Sequence, residues 1–408
     1  MTGMNCSRRG VWQGIGLHRV LLAAAIFALC TASCRAQDGA APQDSRQTAL
    51  VLEQQGRNAD AEAAWRSYLD THPSSSEAFA HLGLLEARQE HYQEAISFYR
   101  RALALHSTIP GLELNLGLAY FKAGEMNEAL QQFIPLLKKT PQSSPSRQRL
   151  AILVGMCHYG LEQYAEAAPY LKEAVSRDPH NLELLLALAH SYLWSKQYQN
   201  VMDTYRVILQ INPESAEADM LAGEALDEMK DAYGAIQQFR AAVRADPTMP
   251  DVHFGLGYLL WTKRQYPQAA PELQAELSNN PNHAQALTYL ADCNLQLGHP
   301  EVAVPLLEKA IRLDPAIELA YLDLGVAYAD AGRQKEALHE LLVAAKLAPR
   351  DVNVHWRLGR LYKAMGNRDE AAAEMEKAKN LTQSADDALM DKMNPNRTPK
   401  APLDSAGR

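Results

Sequence analysis

One interval organises this chain, and it is thirty-four residues long. Small side chains return at Ala49, Gly83, Gly117, Gly155, Ala189, Gly223, Gly257, Ala291, Gly325 and Gly359, every step being 34 residues except one of 38. Twelve positions after each stands an alanine, replaced once by Val201, and four further on comes a large apolar residue, from Trp65 and Tyr99 to Leu341 and Met375. Eight of the ten units then carry proline, from Pro73 to Pro349, with Ser107 and Gln383 the departures. A period of this size means stacked copies of one supersecondary unit. No copy can bury its apolar face alone, so the core is built between neighbours along a quasi-one-dimensional array.

Each unit reads as two helices. In the ninth, Tyr321, Leu324, Gly325 and Tyr328 fall at i, i+3, i+4 and i+7, one face of a first helix. Gly332 supplies a left-handed C-terminal cap, as Gly56, Gly124, Gly298 and Gly366 do in sister units. Ala337, Leu341 and Ala344 form the inner stripe of a second helix, and Pro349 prevents its continuation. The small residue of helix one is expected to face the alanine of helix two, letting the backbones approach. Pro169, Pro271 and Pro305 recur two positions after that alanine. Their missing N–H is expected near the first turn of the second helix and on its outer face, at little cost.

The pattern Leu-Gly-x-x-Tyr, then Ala, then a large apolar residue, then Ala and Pro, on a 34-residue period, resembles the tetratricopeptide repeat family. It covers residues 42–385. Units one to three occupy 42–75, 76–109 and 110–143, and units four to ten run without a gap from 148–181 to 352–385. The resemblance implies an all-α fold, a right-handed α-solenoid. Unit five departs from the pattern at Ala189, Val201 and Ile208, and the first helix of unit one is weak around Thr48 and Ala49. Four extra residues within Thr140–Arg147 are expected to lengthen a loop.

The flanks differ from the repeats. Residues 1–36 combine a basic leader with the apolar run Val20–Ser33, which is short for a bilayer span and suits the h-region of a secretory signal. Cleavage after Ala36 leaves Gln37 and a linker, 37–41. Alternatively "TASC" resembles a bacterial lipobox with Cys34 as the lipidated residue, and "SRRGVW" loosely resembles a twin-arginine export signal. The expected location is therefore outside the bacterial cytoplasm, periplasmic or secreted, with a lipid anchor at Cys34 the one route to the membrane. Beyond the repeats, 384–393 is expected as a short capping helix and the proline-rich 394–408 as a disordered tail. Cys157 and Cys293, outside the leader, lie four repeats apart, too far to bridge, and read as small buried residues.

Function is bounded from several sides. The formal charge is −8, and residues 1–36 hold four arginines and no acid, so the remainder is more acidic still. Such a body repels phosphate backbones, which argues against nucleic acid. No HExxH, P-loop, GxSxG or dinucleotide fingerprint appears, the histidines have no metal-ligand spacing, and ten units with leader and tail account for the 408 residues. The expectation is a non-catalytic protein without a cofactor. In the family resembled, a second stripe on helix one, at repeat positions 2, 5, 9, 12 and 13, lines the groove where partners lie. Here that implies Leu118 and Phe121 in unit three, Met156 and Tyr159 in unit four, and Leu186, His190 and Trp194 in unit five. It continues with Glu224, Asp227 and Glu228, then Phe254, Tyr258 and Trp261, then Asp292 together with Tyr289 at the adjoining position 6, and ends with Trp356 and Arg360. Some of these side chains are expected to be buried between neighbouring first helices; the aromatics suit an interface. Ala80, Leu114 and Thr288 stand where relatives that clamp a C-terminal carboxylate carry lysine, so that mode is not expected. The partner expected is an extended, partly apolar polypeptide, with carbohydrate as the alternative because aromatic rings beside carboxylates also suit sugars.

Overall fold

The computed structural model describes residues 45–105 and 109–393. Among them there are twenty helices and no strand, so the all-α expectation holds. The leader, Cys34, the linker 37–41 and the tail 394–408 lie outside the described residues. No helix of the described residues is long and apolar enough to cross a membrane. The chain divides into two compact units, Met1–Asp231 and Ala232–Arg408. The division falls inside the sixth repeat, between its helices Ala216–Glu228 and Ala232–Ala245.

Every repeat is a pair of helices, as in Ser76–Arg88 with Tyr92–Ala104 or Glu318–Asp330 with Gln334–Leu347. The small residue of the first helix is explained chiefly by the large one of the second, with the expected alanine behind it in repeat nine, where Ala337 O would lie 3.3 Å from a Cβ on Gly325. A Cβ on Gly83 would lie 2.7 Å from the Tyr99 ring, one on Gly117 2.5 Å from the Phe133 ring, and one on Gly325 2.7 Å from Leu341 Cγ. The ring or branched end of the large residue occupies the space a side chain would need. Trp65, Tyr99, Phe133 and Leu171 are accordingly buried to below 2% exposure, and Leu273, Leu307 and Leu341 likewise.

The turn between the helices has one conformation throughout. Gly56, Gly124, Gly298, Gly332 and Gly366 are left-handed, and so are Glu90, Glu162, Lys196, Lys230 and Arg264 at the same place in the other five repeats. The closing bonds are of the Schellman kind, with Arg333 N–H donating to Tyr328 O at 2.8 Å and Gln163 N–H to His158 O at 2.9 Å. Packing of the two helices imposes this turn whether or not glycine is present to relieve it.

Three local expectations change. Pro169, Pro271 and Pro305 are each the sixth residue of their helix, beyond the first turn, and Pro135 sits deeper still in Met126–Lys139. Each of the three costs one i→i−4 bond, but all three are exposed, so the freed carbonyl meets water. The four extra residues near Thr140 go mainly into a longer helix, Pro145–Gly160, which starts on a proline behind the Ser144 cap. Arg147 in its first turn donates to Leu137 O (3.0 Å) and Thr140 O (3.1 Å), closing the preceding helix, and pairs with Glu173 at 2.6 Å. Residues 384–393 are not a separate capping helix but the end of one 26-residue helix, Arg368–Met393. The physical reason is Gln383: where eight repeats carry a helix-stopping proline, this one does not.

Candidate functional site

First helices of neighbouring repeats approach one another directly in each unit, as Val252–Thr262 does Ala284–Leu297, and Glu318–Asp330 does Val352–Ala364. No two second helices of the described residues come as close. The first helices therefore form an inner row in each unit, and side chains on their open side share one face.

In the first unit, four aromatic rings gather on that row. Tyr159 and Tyr164 meet edge to face at 5.5 Å between centroids, and Tyr164 lies over Trp194 at 5.9 Å. His190 sits between them, 3% exposed. Trp194 Nε1–H donates to His190 Nε2 at 2.9 Å; indole offers only a donor, so the imidazole proton resides on Nδ1 and points to the Tyr159 hydroxyl at 3.0 Å. Burial pushes the His190 pKa down to about 3, and the ring is neutral. Both ring nitrogens are thus committed inside the protein.

The second unit carries the longer aromatic belt. Tyr258 and Trp261 of one first helix lean on Tyr289 of the next, at 5.3 and 4.6 Å between ring centroids, and Phe254 lies 6.1 Å from Tyr289. Trp261 Nε1–H donates to Asp292 Oδ2 at 2.6 Å, and Gln296 Nε2 to Asp292 Oδ1 at 3.0 Å. The spacing i, i+4, i+7 puts the first three rings on one helical face, and the close approach of the next helix inserts Tyr289 among them.

Beside this belt Asp251, Glu276 and His283 bring atoms of metal-ligand type within 4.8 Å of one another. Their hydrogen bonds give them another role. Ala286 N–H donates to His283 Nδ1 at 3.1 Å, which leaves the proton on Nε2, and Nε2–H donates to Asp251 Oδ1 at 3.0 Å. A cation on Nε2 would need that lone pair and would shift the proton to Nδ1, breaking the helix cap. Glu276, 1% exposed, accepts Phe254 N–H at 3.2 Å. Its pKa is raised, chiefly by burial and then by Asp251, while His283 opposes the shift. The cluster pins the start of one first helix to the start of the next.

Further along the row stand charges that are not matched. Asp323 is 8% exposed, and its Oδ2 has no hydrogen-bond partner among the described residues; the same is true of Glu318 Oε1 and Arg357 Nε. Burial raises the Asp323 pKa well above the carboxylate range; Asp292 and Glu318 add to this and Arg357 offsets part of it. Glu318 is pushed up to about 7 by burial and by the charge of Asp351.

The expected groove residues separate into two sets. Phe121, Met156, His190, Phe254 and Asp292 are buried between neighbouring first helices, so they support the inner face rather than form its contact surface. Leu118, Tyr159, Leu186, Trp194, Tyr258, Trp261 and Tyr289 remain partly exposed, as do Glu224 and Asp227, with Glu228 more open. Trp356 is 41% exposed and is flanked by the Arg360 and Arg357 guanidinium groups, at 4.8 and 5.4 Å from its ring centroid. Sequence reasoning missed Tyr164, which enters from a second helix, and it missed Asp323 and Glu318. Asp323 stands at repeat position 6, the place that Tyr289 holds one repeat earlier, and reading that position in every repeat would have found it.

Sequence profiles described as Tetratricopeptide repeat match residues 46–108, 86–151, 158–225, 254–316, 295–352 and 352–384. The chain belongs to the tetratricopeptide repeat family. Among curated proteins it is similar to Anaphase-promoting complex subunit 3 of Schizosaccharomyces pombe, 21% identical over 73% of this chain and 44% of that protein. It is also similar to the Peroxisomal targeting signal receptor of Kluyveromyces lactis, 21% identical over 56% of this chain and 40% of the receptor. The chain thus spans less than half the length of these two curated relatives. Among solved structures, YrrB, titled a TPR protein with an unusual peptide-binding site, is 21% identical with a TM-score of 0.38, covering 46% of this chain and 97% of its own.

Proposed function

We propose that this tetratricopeptide protein is a non-catalytic scaffold that holds an extended, partly apolar polypeptide along the inner row of first helices, within an exported complex of a bacterial cell envelope. The observation that carries the reading is the belt of Tyr258, Trp261 and Tyr289, partly exposed on a rigid helical face and held in place by Asp292. Aromatic side chains give large contact area at low entropic cost, and a preformed surface limits the ordering cost of binding to the ligand. The rings tilt into one another, at 51° for Trp261 with Tyr289 and 64° for Tyr258 with Tyr289. Such a folded belt suits aliphatic side chains entering between rings better than it suits the flat stacking of a sugar. Export rests on the basic leader and the apolar run Val20–Ser33.

The test pans a phage-displayed random-peptide library on the wild-type protein and on Tyr258→Ala/Trp261→Ala. The wild type is expected to enrich apolar-rich sequences that the double variant, still folded by circular dichroism, binds at least about thirtyfold more weakly. Equal binding by a folded double variant overturns the groove. Protease accessibility of the protein in intact and osmotically shocked cells tests export, and a purely cytoplasmic distribution contradicts it.

A further inference from the structure

The inner face of the second unit carries a feature that apolar peptide binding does not use. Asp323 is nine-tenths buried on the first helix of repeat nine, and its Oδ2 is without a hydrogen-bond partner among the described residues. Burying a charge or a polar group without a partner is costly, and such groups in native proteins call for an explanation. Glu318, five residues earlier on the same helix, also has an oxygen without a partner among the described residues. The cation within electrostatic reach, Arg357 on the first helix of repeat ten, does not satisfy them. Its own Nε lacks a partner, its guanidinium lies 5.4 Å from the Trp356 ring centroid, and no ion pair joins it to either carboxylate among the described residues.

Position adds a second constraint. Asp292 stands between the two features: it accepts the Trp261 indole N–H at 2.6 Å on the aromatic side, and its charge bears on Asp323 on the other. The aromatic belt is therefore joined through Asp292 to a group of buried carboxylates. That order, apolar rings and then unmatched carboxylates, fits a long basic side chain, whose methylenes lie along rings while its head seeks anions.

Resting on the polypeptide-scaffold reading above, we infer that Asp323 and Glu318, backed by the internally bonded Asp292, form a subsite on the inner face of repeats eight to ten that takes a lysine or arginine side chain of the bound polypeptide. The stem of that side chain passes Tyr289 and Trp261, and its ammonium or guanidinium donates to the Asp323 carboxylate and then to Glu318. The Asp323 side chain, 8% exposed, meets the ligand by rotating about χ1 and χ2 toward the inner face. The ligand supplies the hydrogen bonds that the free protein lacks, so recognition of charge is coupled to relief of an unpaired group.

The experiment extends the same panning to Asp323→Asn, with the full chain throughout. Wild type is expected to enrich a fixed basic position next to the apolar residues, and Asp323→Asn to keep the apolar preference while losing the basic one. By calorimetry, the synthetic consensus peptide should bind Asp323→Asn about tenfold more weakly than wild type, the usual scale for a charge-assisted hydrogen bond. Its lysine-to-norleucine version should bind both alike. Asp323→Asn is expected to melt no lower than wild type. Enriched peptides without a basic position, or an unchanged affinity for Asp323→Asn, overturn the subsite while leaving the groove intact. A lower melting temperature for Asp323→Asn with unchanged selection assigns Asp323 to an internal pair with Arg357 and also overturns it. Spermidine binding as tightly as the peptide would make the ligand a small cation and not a polypeptide, which is contrary to the proposal. No peptide enriched at all removes the groove reading and the subsite together.

Discussion

The aromatic clusters of the two units occupy corresponding places and behave oppositely. In Met1–Asp231 the rings of Tyr159, Tyr164 and Trp194 close around His190, whose two nitrogens are used by Trp194 and Tyr159. In Ala232–Arg408 the rings of Tyr258, Trp261 and Tyr289 adjoin Asp292, and beyond it Asp323 and Glu318 have oxygens without a bonding partner among the described residues. A polar group whose partners are internal contributes to the fold. One whose partners are missing detracts from it, and is retained where something outside supplies the bond. Position 9 is satisfied internally in both units, by His190 in one and Asp292 in the other, whereas the unmatched oxygens belong to positions 6 and 1 of a single repeat.

The contrast can be broken most severely at its centre. His190→Ala should destabilise the first unit by about 2–4 kcal/mol, through a cavity and a stranded Tyr159 hydroxyl, read as the urea midpoint; a change below the error of the measurement would show that the His190 bonds contribute nothing. Gly257→Val should cost about 1–3 kcal/mol by overpacking, because a Cβ there already sits 2.7 Å from Leu273 Cγ. An unchanged melting temperature would refute that contact. Asp323→Asn has the opposite sign to His190→Ala, with a gain of about 1 kcal/mol at alkaline pH as the unpaired carboxylate is removed. Chemical denaturation followed in both variants therefore tests the contrast as a difference of sign.

Acidity sharpens it further. The Glu318 carboxyl, ordinarily near 4.5, is raised to about 7 in the fold, so between those values the folded chain holds a proton that the unfolded chain has released. Its stabilising contribution is complete below about pH 4.5 and is lost as pH rises through 7, and Asp323 acts in the same direction. His190, pushed down to about 3, is silent in that window. Melting of the second unit should fall from pH 5 to pH 8, with a shallower slope in Glu318→Gln; a slope of equal steepness in that variant removes Glu318 as the cause. The smallest effect belongs to the turns. Four left-handed turn residues of the first unit are not glycine, against Arg264 alone in the second. Glu162→Gly should add about 0.5–1 kcal/mol, whereas Gly332→Ala should subtract a similar amount, both read by thermal melting.

The architecture was legible because it is written by repetition: Gly325 with Leu341, and Pro349, have counterparts through most of the ten units and Gly332 through half of them, and the family profiles match the same units. What repetition hides is the individual repeat. Pro145 and Gln383 break the pattern by one residue each, and each changes where a helix starts or stops. The contact between Gly83 and Tyr99 required the crossing of the two helices, which periodicity does not supply. For the candidate site, the aromatic stripe was readable from i, i+4, i+7 spacing, but burial was not. Phe121, Met156 and Phe254 look like Tyr258 in sequence, and only the approach of the neighbouring first helix covers them. Asp323 was invisible for the same reason, since whether a carboxylate is paired depends on three helices at once.

The five tryptophans, Trp12, Trp65, Trp194, Trp261 and Trp356, offer a direct reading of the central claim. Indole N–H signals of the 15N-labelled protein, assigned by single Trp→Phe substitutions, can be followed while a peptide selected on the wild type is added. The account predicts that the Trp261 signal moves with saturation while the fully buried Trp65 stays fixed. A peptide that binds and leaves Trp261 unmoved would contradict it.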